Sequence, residues 1–146
     1  MLSARRRFPS SRIFFRIRKG VALAGLGDLD GALTEFDAAY RVAPEKAGEA
    51  EAWAGAILWH RGDDQGARKR FARVKGRVSG NTAFDAAELE AIARCALGDP
   101  SGAERALREA KSRQGSSHQD RLAPLYDLLA APPLAGVDQL RVIADR

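Results

Sequence analysis

The six residues GDLDGA at 27–32 return as GDDQGA at 62–67 and GDPSGA at 98–103, at intervals of 35 and 36 residues. A period of that size marks a repeat architecture, in which each unit is one supersecondary piece that buries its apolar face only by stacking on its neighbours. The residues after each copy recur as well: Ala32, Phe36 and Ala39, then Ala67, Phe71 and Val74, then Ala103, Leu107 and Ala110. Spacings of four and seven put each trio on one face of a helix. Ahead of each copy lies another stretch of helical composition, IFFRIRKGVALAGL at 13–26, AEAWAGAILWHR at 50–61 and AAELEAIARCAL at 86–97. The unit is therefore helix, tight turn, helix, with units at about 13–46, 47–82 and 83–117.

The turn residues have mechanical duties. Gly27, Gly62 and Gly98 stand where the leading helix must stop, because glycine enters the left-handed conformation without steric cost. Asp28, Asp63 and Asp99 follow as N-caps for the second helix. Pro100 occupies the first helical position, where its missing N–H costs nothing. Gly31, Gly66 and Gly102 are less expected, since glycine inside a helix costs about 0.5–1 kcal/mol relative to alanine. The expectation is that they let the paired helices approach closely near the turn.

These turns, with Gly27, Ala32, Phe36, Ala39 and Pro44 in the first unit, Ala54, Gly55, Leu58, Gly62, Ala67 and Phe71 in the second, and Gly98, Ala103, Leu107 and Ala110 in the third, resemble the tetratricopeptide repeat (TPR) family. In the second unit Ser79 stands in place of the closing proline, and the third leading helix puts Glu90 and Arg94 at usually apolar places. The resemblance covers residues 13–114 and implies an all-α helix-turn-helix array, a TPR-like α-solenoid. It also implies a concave groove built from the leading helices, which would be lined by Phe14, Ile17 and Val21, by Ala52, Ala56, Trp59 and His60, and by Asp85, Glu88 and Ile92. Trp59 is the leading anchor candidate, because large aromatics carry many interfaces. Where family members that hold a chain-terminal carboxylate use Asn and Lys, this chain has Val21, Ala56 and Ile92, so that mode of binding is not expected.

Past the third unit, SRQGSSHQD at 112–120 is a polar linker. Leu122, Leu125, Leu128 and Leu129 then form an apolar stripe, Pro132 and Pro133 break the chain, and VDQLRVIADR at 137–146 supplies a last helix. Residues 118–146 are expected to be a degenerate fourth helix pair that caps the array. A chain of 146 residues fits one domain with one core, burying roughly 68–70% of its unfolded surface.

The formal charge of +5 is localised. Residues 1–20 hold seven basic groups (Arg5, Arg6, Arg7, Arg12, Arg16, Arg18, Lys19) and no acid, while the remainder has 17 basic against 19 acidic residues, a net −2. Residues 1–12 read as a flexible basic segment. The basic side chains break every apolar run before Val21, so a secretory signal is not expected, and organellar targeting ranks behind a cytoplasmic setting. A second basic run, RKRFARVKGR at 68–77, reads as a basic helix. With Arg5, Arg6 and Arg7, its Arg68, Lys69, Arg70 and Arg73 would form a patch for nucleic acid or an anionic membrane, an alternative to the groove.

Chemistry finds little support. The acidic turns lack the further oxygen ligands of a calcium loop, and GDPSGA lacks even a second acid. No Walker or GxGxxG pattern occurs. One cysteine and two histidines provide no zinc spacing, so no metal or cofactor is expected. Cys95 reads as a small helical filler, and Ser117 beside His118 has no positioned base. The expected function is a non-catalytic scaffold for a protein or peptide, with no small-molecule substrate. The same pattern would also suit a fragment of a longer array, in which Phe14, Phe15 and Ile17 would pack on earlier repeats.

Overall fold

A computed structural model describes residues 9–78, 83–113 and 121–145. Among them lie eight α-helices and one 3-10 turn, and no strand: α1 Pro9–Gly25, α2 Leu29–Val42, the turn Pro44–Lys46, α3 Gly48–His60, α4 Asp64–Phe71, α5 Ala83–Ala96, α6 Pro100–Ser112, α7 Ala123–Leu129 and α8 Val137–Asp145. The closest packing is within the pairs α1–α2, α3–α4 and α5–α6, and α3 joins the first two pairs through α2. The first helix begins four residues ahead of the expected 13, taking in part of the segment read as flexible.

Each pair is closed by the same local structure. Gly27, Gly62 and Gly98 have φ of 87°, 88° and 95°, the left-handed region that favours glycine. The Asp28, Asp63 and Asp99 amides each reach back to the carbonyls of Leu23, Leu58 and Arg94 at 2.9 Å, while the glycine amides bond those of Ala24, Trp59 and Cys95. That double bond pattern is the Schellman motif. The same aspartates then turn their carboxylates forward and accept from the amides of Gly31, Gly66 and Gly102 at 3.0, 2.9 and 3.0 Å. One residue ends a helix and starts the next.

The expectation for Gly31, Gly66 and Gly102 is corrected here. The nearest atoms a Cβ at these positions would meet belong to the capping aspartate and not to a neighbouring helix, with Oδ2 of Asp28, Asp63 and Asp99 at 2.5, 2.3 and 2.2 Å. Their bareness makes room for the capping carboxylate. Close helix approach is served by other glycines. A Cβ on Gly20 would lie 2.5 Å from the Phe36 ring, and one on Gly55 would lie 2.8 Å from the Phe71 ring. The matching place in the third pair holds buried Ala91, where the second helix carries the smaller Leu107. A phenylalanine on one helix goes with glycine on the other, and leucine goes with alanine, which conserves the volume shared between them.

The core runs along these contacts: Phe36 stacks on Trp53 with ring centroids 6.4 Å apart, and Ala32, Ala39, Ile57, Ala67 and Leu107 are fully or almost fully buried around them. The run 68–77 is not one basic helix. Helix α4 stops at Phe71, Gly76 turns at φ 74°, and the chain doubles back so that Arg77 accepts from the Gly48 amide at 2.8 Å and Val78 bridges to Ala47. Glu90, out of place in the repeat pattern, accepts from the Gly76 amide at 2.9 Å and so fastens this turn to α5.

The C-terminal pair departs from the expected stack. Helices α7 and α8 touch each other only lightly. Helix α8 packs on α6 and α5, where a further leading helix would sit, whereas α7 folds back onto α3. The reason lies in the apolar pattern. Leu125, Tyr126 and Leu129 of α7, like Val137, Leu140 and Ile143 of α8, all become buried, so each helix has its own surface to cover and neither needs the other.

Candidate functional site

The face shared by the leading helices is where the sequence places a groove, and the fold brings most of those residues to one side. In the second and third pairs that side is already covered by the chain itself. Trp59 Nε1 donates to the Pro132 carbonyl at 2.7 Å, and His60 Nδ1 lies 2.7 Å from the Ala131 carbonyl, an acceptor that a protonated Nδ1 would satisfy. The Tyr126 hydroxyl donates to Glu88, and Arg121 lies 3.9 Å from Asp85. Helix α7 and the residues on either side of it thus meet α3 and α5 through four polar contacts around the buried Leu125, Tyr126 and Leu129.

That seating changes what each predicted groove residue does. Ala52, Ala56 and Ile92 have no exposed surface, Glu88 is 1% exposed and Asp85 8% exposed, so these five are interior residues and not an open lining. Ile17, 5% exposed, belongs to the core as well. Trp59 is partly buried and His60 is exposed, each directing a polar atom at the turn after α7. The first pair also keeps part of the expected lining accessible, through Phe14, 49% exposed, and the partly exposed Val21. The signal for self-coverage was present in the sequence as the stripe of Leu122, Leu125 and Leu129 with Tyr126, but a stripe does not say which surface it covers.

The electrostatics of the second pair are equally internal. Glu51 is fully buried and accepts from Arg70 at 3.1 Å and Arg73 at 3.3 Å, while Arg70 also reaches Asp37 at 2.6 Å. Arg73 lies over the Tyr40 ring, 4.5 Å from its centre. Burial pushes the Glu51 carboxyl above its ordinary range, and the two guanidiniums only partly offset this. Burial also works against the Arg70 charge, yet the bonds to Asp37 and Glu51 hold its affinity for a proton above normal. The basic patch is therefore divided: Arg70 and Arg73 join α2, α3 and α4, Arg68 and Lys69 face solvent, and Arg5, Arg6 and Arg7 lie outside the described residues.

Cys95 is buried, and desolvation, with the nearby charges of Asp99 and Glu104, pushes its thiol up to about 11. A thiol in that state is protonated at neutral pH and a poor nucleophile. Ser117 and His118 lie outside the described residues. Among the described residues no three His, Cys, Asp or Glu side chains gather as a metal site, and no helix is long and apolar enough to cross a membrane. Compared with known proteins, the chain matches no family model, no curated protein and no solved structure.

Proposed function

We propose that this chain is a TPR-like α-solenoid that acts as a non-catalytic scaffold, holding a helical or extended segment of another protein along its leading helices. The observation that carries the reading is the seating of α7. A surface that accepts a short helix through Leu125, Tyr126 and Leu129, and meets the turn after it with the Trp59 and His60 ring nitrogens, has the shape and hydrogen-bonding groups for an amphipathic segment. In the second and third pairs that seat holds the chain's own helix. A client is expected along the first pair, at Phe14 and Val21, extending toward the exposed edge at His60. The threefold repetition of one capped turn supports the array reading, since the repeated residues are spent on packing and punctuation.

The test is to place a photoreactive residue at Val21 or His60 on the inner side, and at Arg108 on α6 as the outer control, and to irradiate the full chain in extract from its host. Clients cross-linked from the inner positions and absent from the outer one support the reading. Clients captured equally from Arg108, or from none of the three, would overturn it.

A further inference from the structure

The outward side of α1 carries a stripe that the fold leaves bare. Ile13, Ile17 and Gly20 point into the core, whereas Phe15 is 68% exposed, Phe14 49% and Leu26 84%, with Ala22 exposed between them. The Leu26 amide bonds the Ala22 carbonyl at 3.1 Å, so Leu26 still follows the helical register. Phe15, Ala22 and Leu26 are seven and four residues apart and share one face. The two phenylalanine rings meet edge to face at 5.9 Å, and the Arg18 guanidinium lies 5.6 Å from the centre of Phe14. Helix α1 thus has two apolar sides, and among the described residues only one of them has a partner.

Charge tells which partner the bare side suits. Four basic groups, Arg12, Arg16, Arg18 and Lys19, flank it along α1. The carboxylates nearest this end are already engaged: Glu35 is shared by Arg16 at 3.5 Å and Lys19 at 3.8 Å, Glu49 takes Arg18, and Asp30 takes Arg61 at 2.8 Å. Of the four cations on α1, Arg16 and Lys19 share one carboxylate and Arg18 takes another, which leaves the N-terminal part of this helix positive, and Arg5, Arg6 and Arg7 add to it in sequence. An apolar stripe of aromatic and aliphatic residues edged with basic side chains is the composition of a helix that lies in the headgroup region of an anionic bilayer. Nucleic acid would use the cations and could stack on a ring, but it gains nothing from Leu26 or Ala22, whereas lipid gains from both. We infer that the outward face of α1 docks on an anionic lipid surface, with Phe14, Phe15 and Leu26 entering the interface and Arg12 and Lys19 at the headgroups. The docked helix lies in the membrane plane.

Phe14 borders both this face and the inner one, so the inference is separated from the inner-face reading at Phe15 and Leu26, which take no part in the seat of α7 or in the proposed client face. It is tested by sedimenting the full chain with phosphatidylcholine vesicles that contain or lack phosphatidylserine. Binding is expected only with phosphatidylserine, to weaken as salt rises, and to drop by at least about tenfold in the Phe15→Ser/Leu26→Ser double variant. Leu97→Ser, at an exposed leucine in the third turn, is the matched control and should bind like the wild type. Circular dichroism and a thermal melt establish that the double variant is folded. Failure to sediment, equal binding to neutral vesicles, or unchanged binding by a folded double variant would overturn the inference. So would preferential binding of single-stranded DNA, or a dimer in solution that the double variant disperses, either of which would assign the face to another partner.

Discussion

The two ends of the molecule treat the same problem in opposite ways. At the C-terminal end α7 covers the leading helices of the second and third pairs and α8 covers the last pair, so Leu125, Leu129 and Leu140 show 0%, 1% and 0% of their surface. At the N-terminal end α1 buries one side on α2 and leaves Phe15 and Leu26 mostly in solvent. A repeat array has two terminal faces that no neighbour covers, and the usual solution is a polar outer surface. Among the described residues, the C-terminal helices are buried on the rest of the fold, whereas the outward side of α1 stays apolar and is edged with basic side chains. The contrast separates an end whose buried packing contributes stability from an end to which only the proposed lipid docking assigns a role.

The contrast can be broken most directly at the closed end. Leu125→Ala should destabilise the fold by roughly 2–5 kcal/mol, as for a fully buried leucine truncated in a packed core, read as a shift in the urea midpoint at constant slope. A loss below about 1 kcal/mol would mean that α7 rests on α3 without holding it. Next comes the interior approach of the first pair. Gly20→Ala puts a methyl into the Phe36 ring and should cost about 1–3 kcal/mol, and Gly20→Ala combined with Phe36→Leu should recover most of it, copying the alanine and leucine of the third pair. Then come the turns. Asp63→Ala should cost about 1 kcal/mol, while Gly66→Ala should change stability by less than about 0.5 kcal/mol, because the methyl crowds a movable carboxylate while helix propensity improves. If Gly66→Ala were the costlier of the two, close helix approach would be reinstated as its reason.

The smallest effect is expected at the open end. Phe15→Ser should leave the thermal midpoint almost unchanged, within about 0.5 kcal/mol, since the ring has little packing to lose. Acid adds a further comparison through Glu51. Its carboxyl is raised in the fold, so the folded state binds the extra proton: this contribution is fully present below the ordinary value of 4.5 and is lost as pH rises through the raised one. Urea midpoints measured through that window should fall less steeply with rising pH in Glu51→Gln than in the wild type. An unchanged slope would place the proton elsewhere.

Much of the fold was legible because its punctuation is local. A left-handed glycine, a capping aspartate and apolar residues at fixed helical spacings are consequences of short-range geometry, and all three turns formed where they were read. The roles of Gly31, Gly66 and Gly102 were not legible, since both explanations for a bare position at a helix start predict the same residue. Only the direction of the absent Cβ separates them. Helix α4 ended early for a tertiary reason: Arg70 and Arg73 are drawn to Glu51, and the chain must turn at Gly76 to reach Gly48. The candidate site was legible as a set of residues and misread as a surface. Ala56, Glu88 and Ile92 do lie on the leading helices as expected, but sequence spacing cannot say that all three are buried or that Tyr126 of α7 returns to Glu88. Phe14 and Phe15 were visible as apolar from the start, and the fold decides which side of α1 they take.

The double duty of Asp28, Asp63 and Asp99 has a consequence for how such a chain can change length. Because one residue ends a helix and begins the next, the distance from the small residue of the leading helix to the ring or leucine of the second is locked. It is 16 residues from Gly20 to Phe36, from Gly55 to Phe71 and from Ala91 to Leu107. An inserted residue inside that span would pull the two duties apart and rotate every core side chain on one helix away from its partner. The single residue by which the intervals of 35 and 36 differ falls between Phe71 and Ala91, in the connection between units. Growth and loss of residues in this molecule belong to the joints between pairs, and a pair itself is of fixed length.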